Sequence, residues 1–161
     1  MSNEKIADLR RKAEQGDATA QNNLGVLYYI GNGVPQDYGI ARQWYESAAA
    51  QGLAPAQITL GHLYADGKGV PKDEKKGVEW IRKAAEQGDG IGQASLGDMY
   101  RDGRGVPQDN VLAYMWYSLA VADWMSAEQN LGKVARHMTP AQIAEAQRLA
   151  QQCQARQFKG C

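Results

Sequence analysis

The sequence predicts an all-α fold, a solenoid of stacked helix-turn-helix units. Three observations carry that prediction: a 36-residue internal repeat, apolar residues at helical spacing within each copy, and glycine, proline and aspartate grouped at the joints. Gly16, Gln21, Leu24, Gly25, Tyr28, Gly31, Gly33, Val34, Pro35, Asp37, Trp44 and Ala48 each recur unchanged 36 and 72 residues later. With average residue usage, fewer than about one column would be identical in three copies by chance. One two-helix unit cannot cover its own apolar faces, so neighbouring copies must stack into a quasi-linear array.

The elements follow in chain order. Residues 4–16 align with the second half of the repeat's second helix, with Asp8 where the tryptophan would be and Leu9 beside it, and form a half-repeat cap. The first full repeat spans 17–52. Its first helix, helix A, covers about residues 18–29, where Ala20, Leu24, Gly25, Leu27 and Tyr28 follow helical spacing. Asp17 suits its N-cap, and Gly31 stands where the helix needs positive φ to stop. The G-V-P-x-D segment then places a proline, which cannot extend the helix, before Asp37 as the next N-cap. Helix B runs to about residue 50, with Trp44 as its expected core anchor and Ala48 one turn on.

Repeats 53–88 and 89–124 follow the same plan, their second helices ending near residues 86 and 122. Asp89 caps as Asp17 does, whereas Leu53 offers no capping oxygen. Gly25, Gly61 and Gly97 on helix A, and Ala41, Gly77 and Ala113 on helix B, remove bulk where the axes must approach closely. In 125–161, Leu131-Gly132 follows Leu96-Gly97 by 35 residues and Ala135 replaces the tyrosine, giving a degenerate fourth helix A. Thr139, Pro140 and Gln142 then spell a capping box with proline at the first helical position. Ile143, Ala146, Ala150 and Cys153 give that last helix an apolar stripe to lay over the open end of the stack. The whole chain, 1–161, reads as a single domain.

Composition narrows the function classes. A chain of 161 residues with 43% hydrophobic content can bury its own core. Lys plus Arg equals Asp plus Glu at 18 each, so no overall field draws the chain to nucleic acid or an anionic membrane. No stretch approaches the roughly 20 apolar residues of a membrane helix, and the start, MSNEKIADLRRK, has no apolar signal-like core. The chain is therefore expected to be soluble, without membrane insertion. With two cysteines and no Cys-His cluster, a zinc site lacks its ligands, and neither metal nor cofactor is expected.

The combined pattern, L-G-x-x-Y, G-x-G-V-P-x-D, A or G before W, and A-A-x-x-G, resembles the Sel-one-like repeats, a subclass of the tetratricopeptide-like superfamily. The resemblance covers essentially the whole chain. It implies a right-handed superhelix with helix A lining the concave face, and members that act as scaffolds or adaptors, often bacterial. In the cysteine-rich secreted branch of this family, a C-x7-C spacing joins the end of one helix B to the next helix A. By that resemblance Cys153 and Cys161 would form a disulfide stapling the C-terminal tail; the other reading leaves both unpaired. A bridge argues for a periplasmic or secreted protein, free thiols for a cytoplasmic one.

The candidate site comes from helix A positions that vary inside an unvarying frame. Asn22, Ile58 and Ala94 share one position; Asn23, Thr59 and Ser95 a second; Val26, His62 and Asp98 a third; Tyr29, Ala65 and Arg101 a fourth. Offsets of three and four put 22, 26 and 29 on one helical face, away from the Leu24 and Tyr28 stripe. Asn23, Thr59, Ser95 and Asn130 then make a ladder of small polar side chains able to bond an extended backbone. Lys133 and Arg136 beside Arg101 make that end basic and suited to a carboxylate. The expected function is a non-catalytic interaction module binding a protein or peptide on the concave face.

The alternative is a small hydrolase or β-lactam-binding enzyme of the cysteine-rich branch. Ser95, His62 and Asp98 could imitate a hydrolytic trio, but no oxyanion hole is legible. The only S-x-x-K match is Ser2 to Lys5, ahead of the first periodic segment. Gly67-Lys68-Gly69 lacks the context of a phosphate loop and reads as turn glycines. Trp44, Trp80, Trp116, Tyr28, Tyr64 and Tyr100 read as core anchors, with Tyr29 and Trp124 as exceptions; Trp124, in the shortened turn where earlier copies have Gly52 and Gly88, is either exposed or packed beneath the cap.

Overall fold

The computed structural model describes residues 2–120 and 125–161, and these form nine helices with no strand among them. They are α1 (Asn3–Glu14), α2 (Ala18–Ile30), α3 (Tyr38–Ala50), α4 (Ala54–Asp66), α5 (Glu74–Glu86), α6 (Gly90–Asp102), α7 (Asn110–Ala120), α8 (Met125–Ala135) and α9 (Pro140–Ala155). Each helix from α1 to α7 packs on the next, as a solenoid requires, and α9 packs on α7. The expected end of the third helix B near residue 122, and Trp124, lie outside the described residues.

The joints form as their residues dictate. The carboxylates of Asp17, Asp37, Asp73 and Asp89 each accept from the backbone N–H three residues on, and Asp109 does the same for Leu112. Leu53 makes no such bond; Pro55 in the first turn starts α4 instead. Helices α2, α4 and α6 stop at Gly31, Gly67 and Gly103 in left-handed backbone, and the N–H of Asp37, Asp73 and Asp109 then reaches back to the carbonyl of Tyr28, Tyr64 and Tyr100. Thr139 and Gln142 complete the capping box of α9.

One expectation about the core is corrected. Trp44 and Trp80 are only half-buried, and of the three repeat tryptophans only Trp116 is fully buried. The anchors of helix B are the next residues, Tyr45, Ile81 and Tyr117, whose side chains enter the notches left by Gly25, Gly61 and Gly97. At about 100° per residue, a one-position shift moves a side chain from the interhelical seam to its edge. Trp116 is the exception because α7 is covered on a second side by α9, whose stripe of Ala146, Ala150 and Cys153 is buried in the same cluster. The capping helix thus lies along α7, where Met115 occupies the position held by exposed Gln43 and Glu79 in the earlier repeats. It leaves Gly132 of α8 exposed with open space at its Cβ position.

Two ladders tie the repeats together. Buried Gln21, Gln57 and Gln93 donate to the carbonyls of Ala13, Ala49 and Ala85, at 3.1, 3.2 and 3.3 Å. Gln51 and Gln87 then donate to the Oε1 of Gln21 and Gln57, both at 2.8 Å, and to the carbonyls of Gly16 and Gly52. Gln21 and Gln57, buried and bonded at both ends, hold the stacking register, because a slip would strand each of them at a cost of about 1–3 kcal/mol. The second ladder joins Arg10 to Tyr28, Glu46 to Tyr64 and Arg82 to Tyr100.

Candidate functional site

The concave face is uneven along its length. On α2, Asn23 is exposed, Val26 is 38% exposed, and Asn22 and Tyr29 are half-buried. On α4, Thr59 and His62 are half-buried while Ile58 and Ala65 are buried. On α6, Ala94 and Ser95 are both only 7% exposed. Packing causes the gradient: α6 sits against α4 on one side, and its Ala94 joins Ala120 of α7 and Ala127 of α8 in a small cluster, whereas α2 has only α1 beyond it. The face expected to be free of packing is therefore free only in its first half.

A groove of about 420 Å³ opens between α2 and α4 and brings four of the expected residues together: Val26 and Tyr29 on one wall, Thr59 and His62 on the other. Tyr45 and Leu63 also line it, and Asp66 and Lys68 complete it. The Lys68 ammonium donates to the Tyr29 hydroxyl at 3.3 Å and stands 5.7 and 5.8 Å from the ring centres of Tyr29 and Tyr38. Burial holds the His62 imidazole below its ordinary pKa, so it is neutral at physiological pH and offers one donor and one acceptor. Asn23 and Val26 also face a second groove toward α1, with Leu9 and Leu27.

The remaining expected residues are otherwise engaged. The Thr59 hydroxyl donates to the Pro55 carbonyl within its own helix. Asp98 accepts from the Tyr117 hydroxyl and, at 3.5 Å, from Asn130. Arg101 is bonded to Asp102 through two nitrogens and to Asp98 and the Tyr117 hydroxyl through a third. Those bonds, Asp102 foremost, push its pKa further up. Arg101 and Lys133 do line one groove, with His137 and Val134, but the guanidinium there is already matched by carboxylates. No hydrogen bond links His62 to Ser95 or Asp98 among the described residues. The polar ladder is thus open to solvent at Asn23, engaged at Thr59 and Asn130, and buried at Ser95.

Sequence reasoning missed Tyr45, Asp66 and Lys68 as groove residues. The signal for Tyr45 was its place directly after Trp44, matched by Tyr117 after Trp116. The glutamine ladder was half legible: Gln21 was among the repeated columns, but Gln51 and Gln87, also one period apart, were not read as its partners.

Cys153, 2% exposed, and half-buried Cys161 are joined in a disulfide with Cα atoms 5.6 Å apart. The tail it closes carries Gln157 and Phe158 in left-handed backbone, and lays the Phe158 ring against Gly88, between α5 and α6. Among the described residues, no helix is long and apolar enough to cross a membrane, and no three His, Cys, Asp or Glu side chains group to hold a metal.

The Sel1 repeat profile matches residues 18–53, 54–89 and 90–122, well over half of the chain. The chain belongs to the Sel1 repeat family. Repeats of this family typically build protein-interaction scaffolds. Among solved structures the chain is similar to c5321, a protective antigen of uropathogenic Escherichia coli with an SLR fold, at 36% identity and a TM-score of 0.87. The match covers 98% of this chain and 35% of that one, so the chain spans about a third of the antigen's length. A Sel1 repeat protein from Oxalobacter formigenes is 39% identical, with 80% and 98% of the two chains covered and a TM-score of 0.71. Helicobacter pylori cysteine rich protein B is 25% identical, with 76% and 93% covered and a TM-score of 0.60. No curated protein sequence matches the chain. The likeness assigns this Sel1 repeat chain the right-handed, tetratricopeptide-like solenoid that its sequence pattern implied.

Proposed function

We propose that this Sel1 repeat protein is a non-catalytic adaptor that binds a polypeptide partner on the first half of its concave face. The carrying observation is the groove between α2 and α4, where Val26, Tyr29, Thr59 and His62 converge beside Lys68. It combines an apolar wall, an aromatic pair and a cation, the mixture that anchors a peptide side chain and orients its backbone. Ser95 drops out as a contact because it is buried, and Arg101 becomes a framework residue. Asn130 and Lys133 remain at the far end, with Asn23 at the near one.

The test is capture of partners from the native source by the tagged chain and by Val26→Arg with Thr59→Arg, which fill the groove. The expected result is loss of the stoichiometric partner with unchanged melting. Capture that survives this change, or is lost instead on mutating Gln43 and Glu79 of helices α3 and α5, refutes the concave assignment. The Cys153–Cys161 bridge supports an oxidising compartment such as the periplasm. Alkylation of the protein drawn directly from its source, expected to find no free thiol, checks that.

A further inference from the structure

The same structural position is solved differently in repeats one and three. Tyr45 and Tyr117 occupy equivalent places, each ring filling the notch of a helix A glycine. In repeat three the Tyr117 hydroxyl donates to the Asp98 carboxylate and accepts from Arg101. In repeat one the places of Asp98 and Arg101 are taken by Val26 and Tyr29. The Tyr45 residue is only 2% exposed, and its hydroxyl, which forms no hydrogen bond among the described residues, meets solvent at the groove. Tyr45 lines the groove between α2 and α4, and burial pushes its pKa up to about 12, which keeps the hydroxyl a donor at physiological pH. A donor at the base of the groove that no protein group accepts from is free to bond an acceptor that enters there.

We infer that the groove takes a carboxylate from the partner, a Glu or Asp side chain of an extended segment, which replaces in trans the carboxylate that Asp98 supplies in cis. This rests on the concave-groove reading and specifies its chemistry. The Lys68 ammonium on the rim supplies the complementary charge. The one acidic group lining the groove, Asp66, is paired with Arg104 at 2.9 Å, which removes most of its opposition to an incoming anion. Repeat two makes no such site, because Ile81 stands where the tyrosine would.

The probe is a pair of end-blocked pentapeptides, acetyl-Ala-Ala-Glu-Ala-Ala-amide and its Gln counterpart, titrated into 15N-labelled protein. The expected result is that the Glu peptide shifts the amide signals of Val26, Tyr45 and His62, and that the Gln peptide binds at least about fivefold more weakly, the loss of one charge-assisted bond. Tyr45→Phe keeps the ring in the Gly25 notch, so it is expected to melt no lower than the parent while losing that preference. Val26→Asp, which installs the carboxylate of repeat three, is expected to abolish Glu binding by satisfying Tyr45 internally. Equal binding of the two peptides, or a preference that survives Tyr45→Phe, overturns the carboxylate inference while leaving the groove reading in place. No shift with either peptide also overturns it, and the capture experiment then decides the groove reading by itself.

Discussion

Ile81 sits in the notch left by Gly61: a Cβ built on that glycine would stand 2.5 Å from Ile81 Cγ1 and 2.8 Å from the Gly77 carbonyl. Glycine inside a helix ordinarily costs about 0.5–1 kcal/mol relative to alanine. At Gly61 the sign reverses, because the methyl group meets backbone as well as side chain. Gly61→Ala is expected to destabilise by about 1–3 kcal/mol. Gly132, also helical but with nothing within 4 Å of its Cβ position, is expected to gain about 0.5–1 kcal/mol as alanine. Urea unfolding of the two variants checks the opposite signs; a shift in the same direction would refute the notch argument.

The tryptophans should separate by burial. Trp116→Ala removes a fully buried ring and is expected to cost about 3–5 kcal/mol. Trp80→Ala removes one that lies at the edge of its cluster with Lys83 4.6 Å from the ring centre, and should cost clearly less. Ile81→Ala, at a fully buried neighbour, should cost about 2–5 kcal/mol despite its smaller side chain. Melting temperatures in the order Trp116→Ala lowest and Trp80→Ala highest would bear this out.

Acid stability should depend on His62. Burial lowers its folded pKa, so the unfolded chain binds the extra proton more readily. The stability tied to neutral His62 is present above the ordinary histidine value near 6.5 and is lost as pH falls through the lowered one. Asp102, held below its ordinary value by Arg101, loses stability in the same direction but at lower pH. Comparing urea midpoints at about pH 7.5 and about pH 5, the drop should be smaller in His62→Gln than in the parent. An equal drop would mean that the imidazole is solvated in the folded state.

The C-terminal staple should be local. Reducing Cys153–Cys161, eight positions apart, opens a short loop and is expected to cost no more than about 2–3 kcal/mol. Phe158, held against Gly88 in left-handed backbone that phenylalanine rarely adopts, should then release. Cleavage by chymotrypsin after Phe158 under reducing conditions, with helix content unchanged, is the expected outcome. Resistance equal to that of the oxidised chain would show that packing alone holds the tail.

The sequence by itself determined the repeat, its period and the ends of its helices. Those features depend on contacts within about six residues, such as the Asp37 cap, the left-handed Gly31 and the capping box at Thr139, and local chemistry is what a sequence displays. It also marked Gly25, Gly61 and Gly97 as close approaches. What it left open was which side chain fills each notch, since Trp44 and Tyr45 are adjacent and differ only by a rotation about the helix axis. The tertiary structure decided that in favour of Tyr45, Ile81 and Tyr117. It likewise decided the concave face, where the pattern of variable positions was legible but their exposure was not. Ser95 is buried because α6 has neighbours on both sides, Arg101 is engaged because Asp98 and Asp102 lie within reach, and Val26 is open because α2 begins the row. Burial arises from helices brought together from tens of residues apart, as Ala94 meets Ala120 and Ala127, and only their packing sets which polar groups stay free.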